Sequence, residues 1–405
     1  MANRQVRVIR FIFIVVILFY GTIKLLSITS RSDLVLSMAH HGRPDDAVVA
    51  QIASEKQAKI NAAKLKVSLE KALRRPSVGK DYVKANATLV TLARNNDLWG
   101  IVQSIKDVET RFNRVYKYDW VFLNDEEFNS EFMDVTRSMI SGNVKFGKIP
   151  KEHWGFPDWI DQEKSSDERI RLEEENVIYG GSLSYRHMCR FESGFFFDHP
   201  LLQEYRYYWR IEPDIRLYCD INYDIIKYME DNNKTYGWTL SLIEFEKTIP
   251  TLWNTTKDFI ASHPQYLAQD NLLDFISKDD GQTYNLCHFW SNFEIADMDF
   301  WRSEIYREYF NHLDRAGGFF YERWGDAPVH SIAASLFLPK NKIHHFEDIG
   351  YYHMPFGNCP TDKATQDANN CACESDNFSW TKNSCTPRFY NVIGESRQQD
   401  GNNLR

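Results

Sequence analysis

The chain has 405 residues, a formal net charge of −8, 43% hydrophobic and 15% aromatic content, enough to fill one large core or two small ones. The acidic balance argues against nucleic-acid binding as the main task, which calls for a basic surface. An anionic substrate would need local cations or a metal ion.

Residues 11–23 form an uncharged, strongly apolar run, extended past Lys24 by Leu25, Leu26 and Ile28 and preceded by Arg4, Arg7 and Arg10. With Arg10 and Lys24 snorkelling, 8–28 can span a bilayer. Positive charge on its N-terminal side, with no small-x-small site after it, predicts a signal-anchor with residues 1–7 cytosolic and the remainder lumenal, against the competing reading of a cleaved signal peptide. Residues 45–75 are rich in Ala, Lys, Glu and Leu and lack Gly and Pro, so 29–79 reads as a short, largely helical stem. Sequons at Asn86, Asn233, Asn254 and Asn377 fit lumenal exposure. Of seven cysteines, four (Cys359, Cys371, Cys373 and Cys385) lie near the C-terminus. Their spacing fits no common zinc pattern and predicts disulfides stapling a C-terminal loop, with at least one thiol left unpaired within the chain.

From residue 86 the pattern changes to α/β. A strand over 87–93, a helix over 98–112 with Ile101, Ile105, Val108 and Phe112 on one face, and a strand over 119–123 form a βαβ unit with parallel strands. Ligands bind beyond the carboxyl ends of such strands, which makes Arg94 and Asn124 candidates for holding a nucleotide. There is no G-x-G-x-x-G and no P-loop. Further on, Tyr185-Arg-His-Met-Cys-Arg-Phe runs into Phe195-Phe-Phe197, read as a buried strand with Arg186 and Arg190 nearby as further candidates for holding the nucleotide.

Residues 205–214, Tyr-Arg-Tyr-Tyr-Trp-Arg-Ile-Glu-Pro-Asp, read as an aromatic strand stopped by Pro213. Glu212 and Asp214 then meet at a strand terminus, where two carboxylates suit a hard divalent ion such as Mn²⁺ or Mg²⁺. A second aromatic run, 284–294, ends in Glu294, and a carboxylate among apolar neighbours is costly unless paired or functional. A helix over 300–315 capped by Gly317, a strand over 319–326 and a second helix with Asp326 as its cap follow. His353 closes the last aromatic run, Ile-Gly-Tyr-Tyr-His.

Tyr-Trp-Arg-Ile-Glu-Pro-Asp, Asn-Leu-Cys-His-Phe-Trp-Ser-Asn-Phe-Glu, Gly-Gly-Phe-Phe-Tyr-Glu-Arg-Trp-Gly-Asp-Ala-Pro-Val-His-Ser and Ile-Gly-Tyr-Tyr-His resemble the fungal KTR family of GDP-mannose-dependent α-1,2-mannosyltransferases, glycosyltransferase family 15. The resemblance covers about residues 80–390, with 391–405 as a tail. It implies an α/β, GT-A-type fold with a mixed central sheet flanked by helices, a Golgi type II membrane protein, and Mn²⁺-dependent transfer of mannose from GDP-mannose to mannose-terminated glycans. The partners so implied are the donor, the acceptor glycan, the Golgi membrane and other mannosyltransferases of a Golgi complex. It further implies Mn²⁺ ligation by Glu212 and His353, with Asp214 as a further candidate. Glu294 would be the nucleophile or a stabiliser of positive charge at the anomeric carbon, Tyr185 would lie near the reacting sugar, and Asp326 near the donor or acceptor mannose. Retention permits either a covalent intermediate or same-face displacement. A catalytically inactive mannan-binding scaffold and a lumenal glycoside hydrolase are the alternatives.

Overall fold

The structure, a computed structural model, describes residues 78–373 and 377–395 together with 54–57 and 59. The last five are helical and exposed, as expected of the stem. The anchor span 8–28, most of the stem and the tail from 396 lie outside the described residues, among which no helix is long and apolar enough to cross a membrane.

Among the described residues twelve strands are formed: β1 (Ala87–Leu92), β2 (Asp119–Asn124), β3 (Val144–Lys148), β4 (Tyr207–Ile211), β5 (Arg216–Leu217), β6 (Tyr236–Trp238), β7 (Ser241–Ile243), β8 (Cys287–Phe289), β9 (Phe293–Asp297), β10 (Ile343–His345), β11 (Tyr351–His353) and β12 (Phe356–Asn358). The main sheet has seven strands in the order β10-β6-β9-β4-β1-β2-β3. It is mixed: β1, β2, β3 and β4 run parallel, and β9 is antiparallel to both β4 and β6. β4 and β9 are buried at every position, as strands covered on both faces must be.

Four helices carry the argument below: α1 (Leu98–Val108), α2 (Leu183–Gly194), α3 (Glu304–Ala316) and α4 (Asp326–Phe337). α1 covers one face of the sheet with Leu98, Ile101, Ile105 and Val108, each at most 5% exposed, which is the spacing read from the sequence. α2, α3 and α4 pack on the opposite face. Alternate residues of β4 face opposite sides: Trp209 and Ile211 lie with α1, and Tyr208 with the other helices.

The expected βαβ unit is present, with β1 and β2 paired in parallel. Two expected strands are not. The aromatic run 195–197 is the end of α2 and a 3₁₀ turn, Phe196–Asp198, and Phe196 packs against the Tyr208 ring at 4.8 Å. Residues 318–321 are a helical turn entered through Gly317 at φ 76°. Short apolar runs carry no periodicity that separates strand from buried helix. The helix expected over 300–315 is interrupted, because Ser303 accepts a hydrogen bond from the Tyr306 amide and so caps α3.

Three disulfides, Cys219–Cys371, Cys287–Cys385 and Cys359–Cys373, each include a cysteine of the C-terminal segment. Two of them reach back to the ends of β5 and β8, so the segment is fastened around the body of the fold. Cys189 is the free, buried thiol. The helix Thr386–Ile393 runs past residue 390, where the tail was expected to begin. Among the sequons, Asn86, Asn233 and Asn254 are exposed. Asn377 is 8% exposed, and its amide donates to the Cys359 carbonyl.

Candidate active site

Strand order reverses between β1 and β4, and a crevice beyond the carboxyl ends of strands at such a switch point is where open α/β sheets bind ligands. Arg94 stands immediately after β1. Its side chain is 70% exposed and rests on Asp97 at 3.0 Å. Asn124 ends β2, buried, with its carbonyl accepting from the Ile149 amide. Glu212 follows β4 at the same end. Arg94, Asn124 and Glu212 therefore share one edge of the sheet.

Beneath this edge lies a charge cluster centred on Arg210, which the sequence reading did not single out. The Arg210 guanidinium donates Nε to Glu212 Oε1 and Nη1 to Asp326 Oδ2, both at 2.5 Å, and Nη1 stands 3.8 Å from Glu192 Oε2. Ser291 donates its hydroxyl to Asp326 at 2.7 Å. One guanidinium thus faces three carboxyl groups, on α2, just after β4, and on α4. Burial pushes the Glu192 carboxyl up to about 8, against the pull of Arg210. Burial also opposes ionisation of Asp326, but Arg210, His330 and Ser291 together hold it below the usual carboxylate value. Asp326 is the first residue of α4, and Gly325 takes the cap position. Its carboxylate serves Arg210 instead of the helix end.

Glu294 stands directly across from Arg210 in the β4–β9 register and from Trp238 in β6–β9. It is fully buried. Tyr208 and Tyr236, diagonal neighbours on the two flanking strands, both donate hydroxyls to it, Tyr236 at 2.8 Å. His330, one helical turn beyond Asp326 on the same face of α4, places Nδ1 3.0 Å from Oε2. Burial disfavours the imidazolium, yet the Glu294 carboxylate outweighs it and raises the His330 pKa. Both oxygens of Glu294 are therefore engaged.

Residues 212–215 link the cluster to a second sheet of order β12-β11-β5. β5 pairs with β11, Arg216 opposite Tyr352, so the next position sets His353 against Ile215. His353 is partly exposed, with Trp290 5.0 Å away edge-on. Its Nδ1 lies 3.2 Å from the Met354 carbonyl, and Nε2 remains open. Glu212 likewise uses only Oε1, for Arg210. A carboxylate oxygen and an imidazole nitrogen are donor types that suit a borderline-hard ion such as Mn²⁺.

Asp214 does not join them. Its φ is 61°, its amide donates to the Gly100 carbonyl at 3.1 Å, and a Cβ on Gly100 would lie 2.8 Å from its Oδ2. The carboxylate rests on the first turn of α1, where the helix dipole favours negative charge. Among the described residues, the one His/Cys/Asp/Glu group close enough for three-ligand binding is Cys219, Cys371 and Cys373, all held in disulfides.

Two expected nucleotide-side residues are engaged elsewhere. Arg186 is fully buried and donates to the carbonyls of Gly180, Ser182 and Glu322 at 2.7, 2.9 and 3.0 Å. Arg190 makes a two-pronged bond to Asp314 at 2.7 and 2.8 Å. Both point into the helical layer because α2 is a helix and not the approach to a strand. Tyr185, on the same helix, lies under the Arg323 guanidinium at 5.3 Å. Of the missed residues, Arg210 had a signal, namely an Arg two positions before an acid in an otherwise apolar strand. His330 and Tyr236 gave none, because their roles depend on packing between distant segments.

The mixed sheet with buried acids at the carboxyl end of its central strand is, by its match to solved structures, a glycosyltransferase fold. Core-mannan synthase A (CmsA/Ktr4) of Aspergillus fumigatus, crystallised in its Mn/GDP form, matches with a TM-score of 0.73 and 41% identity, covering 80% of this chain and 90% of that one. Residues 45–394 match the family described as glycolipid 2-alpha-mannosyltransferase, and the chain belongs to that family. It is 63% identical over 317 residues to glycolipid 2-alpha-mannosyltransferase 1 of Candida albicans, covering 78% of this chain and 74% of that one. It is 59% identical over 310 residues to alpha-1,2 mannosyltransferase KTR1 of Saccharomyces cerevisiae, covering 76% and 79% respectively.

Proposed function

We propose that this chain is a retaining α-1,2-mannosyltransferase of GT-A type that moves mannose from GDP-mannose to a mannose hydroxyl and uses Mn²⁺. The observation that carries it is the buried Arg210–Asp326 pair beside Glu294 at the carboxyl end of β4, with Glu212 bonded to the same guanidinium. The Mn/GDP form of a 41% identical neighbour supports both the ion and the nucleotide.

Within that reading, Glu212 and His353 would hold the ion, which would supply positive charge where the diphosphate departs. Arg94 and Asn124 flank the crevice that takes the nucleotide. Arg210 bonds both Glu212 and Asp326 and holds Asp326 ionised, and Asp326 and Tyr185 border the sugar. Glu294, with its oxygens held by two tyrosines and a histidine, acts through its fixed negative charge on the anomeric centre. That arrangement favours same-face displacement over a covalent intermediate. We further assign 8–28 as a signal-anchor, 29–79 as a stem and 80–394 as the catalytic domain in the Golgi lumen, where other mannosyltransferases are available as partners. The intact cluster speaks against an inactive scaffold, because a mannan-binding subunit has no use for three carboxyl groups around one arginine.

The test is GDP release from GDP-mannose by the secreted unit Arg74–Arg405, with Mn²⁺ and methyl α-mannoside. Acceptor-dependent, EDTA-sensitive release giving an α-1,2 product is expected. Donor binding without transfer would point to a different or larger acceptor, and no donor binding at all would move the scaffold reading to first place.

A further inference from the structure

The small sheet that carries His353 is fastened on both sides by disulfides. Its order is β12-β11-β5, and His353 is the last residue of the middle strand. Cys219 lies two residues beyond β5 and Cys359 one residue beyond β12. Both are buried, and they are bonded to Cys371 and Cys373 of one short segment. That segment lies against the sheet. The Ala372 amide donates to the Tyr218 carbonyl at 2.8 Å, and the Tyr218 amide to the Gly350 carbonyl at 2.7 Å. Cys219 Sγ leaves no room for a Cβ on Gly350, the residue before β11, so its bridge packs on the root of the His353 strand.

The two bridges also adjoin each other. The sulfurs of Cys219, Cys371 and Cys373 all lie within 4.8 Å of one another, although Cys373 belongs to the second bridge. A thiolate at Cys373 would stand within reach of the Cys219–Cys371 bond. Access helps decide which sulfur of a disulfide is attacked. Cys219 is fully buried, whereas Cys371 and Cys373 are half-buried beside the exposed Ala372, so attack falls on Cys371. Cα atoms two residues apart are about 5–7 Å from each other, which overlaps the roughly 4.4–6.8 Å that a disulfide spans. Joining Cys371 to Cys373 releases Cys219, so opening one bridge unfastens both outer strands.

We propose that Cys371-Ala-Cys373 is a thiol–disulfide exchange site through which a low-molecular-weight thiol uncouples the His353 strand from the C-terminal segment. A first thiol, as its thiolate, bonds Cys373 Sγ and expels the Cys359 thiolate, which takes up a proton. A second thiol removes the first as an external disulfide and leaves the Cys373 thiolate. That thiolate bonds Cys371 Sγ, the Cys219–Cys371 bond breaks, and the Cys219 sulfur takes up a proton. Two external thiols are thereby oxidised to one disulfide, and Cys219 and Cys359 finish as thiols. With β5 and β12 both released, β11 keeps only its ladder hydrogen bonds and His353 loses its support. That consequence rests on the transferase reading, in which His353 holds the ion; the exchange itself does not.

Two variants of the full chain test the exchange. Cys359→Ser leaves a thiol at Cys373 beside the Cys219–Cys371 pair, and Cys359→Ser/Cys373→Ser lacks the same bridge without that thiol. After denaturation in N-ethylmaleimide and peptide mapping by mass spectrometry, Cys219 is expected to be labelled in the first and not in the second. Cys189, the free thiol, is labelled in both. The wild type needs no variant. Limiting glutathione should give labels on Cys219 and Cys359 together with a Cys371–Cys373 peptide. The Mn²⁺ affinity of that product, read from the electron paramagnetic resonance of the free ion, is expected to be about tenfold weaker. Labels on Cys359 and Cys373 with Cys219–Cys371 intact would overturn the proposal, as would complete exchange at unchanged Mn²⁺ affinity. A wild type that binds no Mn²⁺ before reduction would sink the transferase reading, and the labelling pattern would still decide the exchange.

Discussion

Arg210→Met removes the one guanidinium that faces Glu192, Glu212 and Asp326 while keeping much of its apolar stem. The side chains left behind are only 5%, 21% and 7% exposed respectively. Deleting one partner of a buried ion pair costs about 3–5 kcal/mol, because the remaining charge has neither water nor a counter-ion. For the unit Arg74–Arg405, an unfolding entropy of about 2.1 cal/mol/K per residue totals roughly 0.7 kcal/mol/K, so the midpoint should fall by about 4–7 °C near neutral pH. The pH dependence follows from Asp326. In the wild type its pKa is held below the unfolded value, so it adds stability above the unfolded pKa that is lost as pH falls through the folded one. Without Arg210, burial dominates and the folded pKa rises above the unfolded value. The deficit is then greatest at high pH and shrinks as the carboxyls take up protons. Thermal unfolding followed by circular dichroism at pH 8 and pH 5 measures both effects. A midpoint within about 1 °C of wild type at pH 8, or a deficit that grows on acidification, would refute the reasoning.

Glu294→Gln removes the charge but keeps the shape. It is expected to lower kcat by about 10²–10³ while GDP affinity, read by calorimetry, stays within a factor of two; a near-normal kcat would exclude Glu294 from the chemistry. Glu192, raised to about 8, holds a proton in the folded state that the unfolded chain releases above its ordinary carboxyl pKa. Stability should therefore decline with rising pH across that window, and Glu192→Gln should flatten the decline and raise the midpoint at pH 8. Replacing Cys287 and Cys385 by serine opens a closure of 98 residues, worth about 4–5 kcal/mol in the chain-entropy account. A midpoint drop of about 6–7 °C is expected, and none at all would show that the C-terminal segment is held by packing alone. Expressed in a secretory host, Asn233→Gln and Asn254→Gln should each remove one glycan step on a gel. Asn377→Gln should not, since Asn377 is 8% exposed and its amide is already hydrogen-bonded.

What the sequence disclosed follows from how far each feature depends on local chemistry. β1, α1 and β2 were legible because period and punctuation are local: an apolar strand, an Asn-Asn-Asp start, a stripe at helical spacing. The break at Ser303 and the turn at 318–321 were not, since both are decided by a single cap and by what the aromatic rings meet across the core. The same division runs through the site. Glu212, Glu294 and Asp326 could be singled out, because an acid beside Pro or within aromatic residues already asks what pays for its charge. The answer lies in residues that ask nothing by themselves. Tyr208, Tyr236 and His330 are ordinary members of an aromatic core until the β4–β9–β6 register sets Glu294 between two tyrosine hydroxyls and α4 brings the imidazole down onto it.

Arg186 and Arg190 show the converse. Cations near a presumed strand invite a phosphate, yet α2 turns one onto backbone carbonyls and the other onto Asp314. Both became supports for the site. Arg186 braces the turn that leads into α2, and Arg190 ties α2, which carries Tyr185 and Glu192, to α3. If that is their role, Arg190→Met should weaken the fold and disturb Tyr185 and Glu192 together, raising acceptor KM and lowering the thermal midpoint in parallel, with GDP affinity spared. A selective loss of GDP binding at an unchanged midpoint would restore Arg190 to the nucleotide.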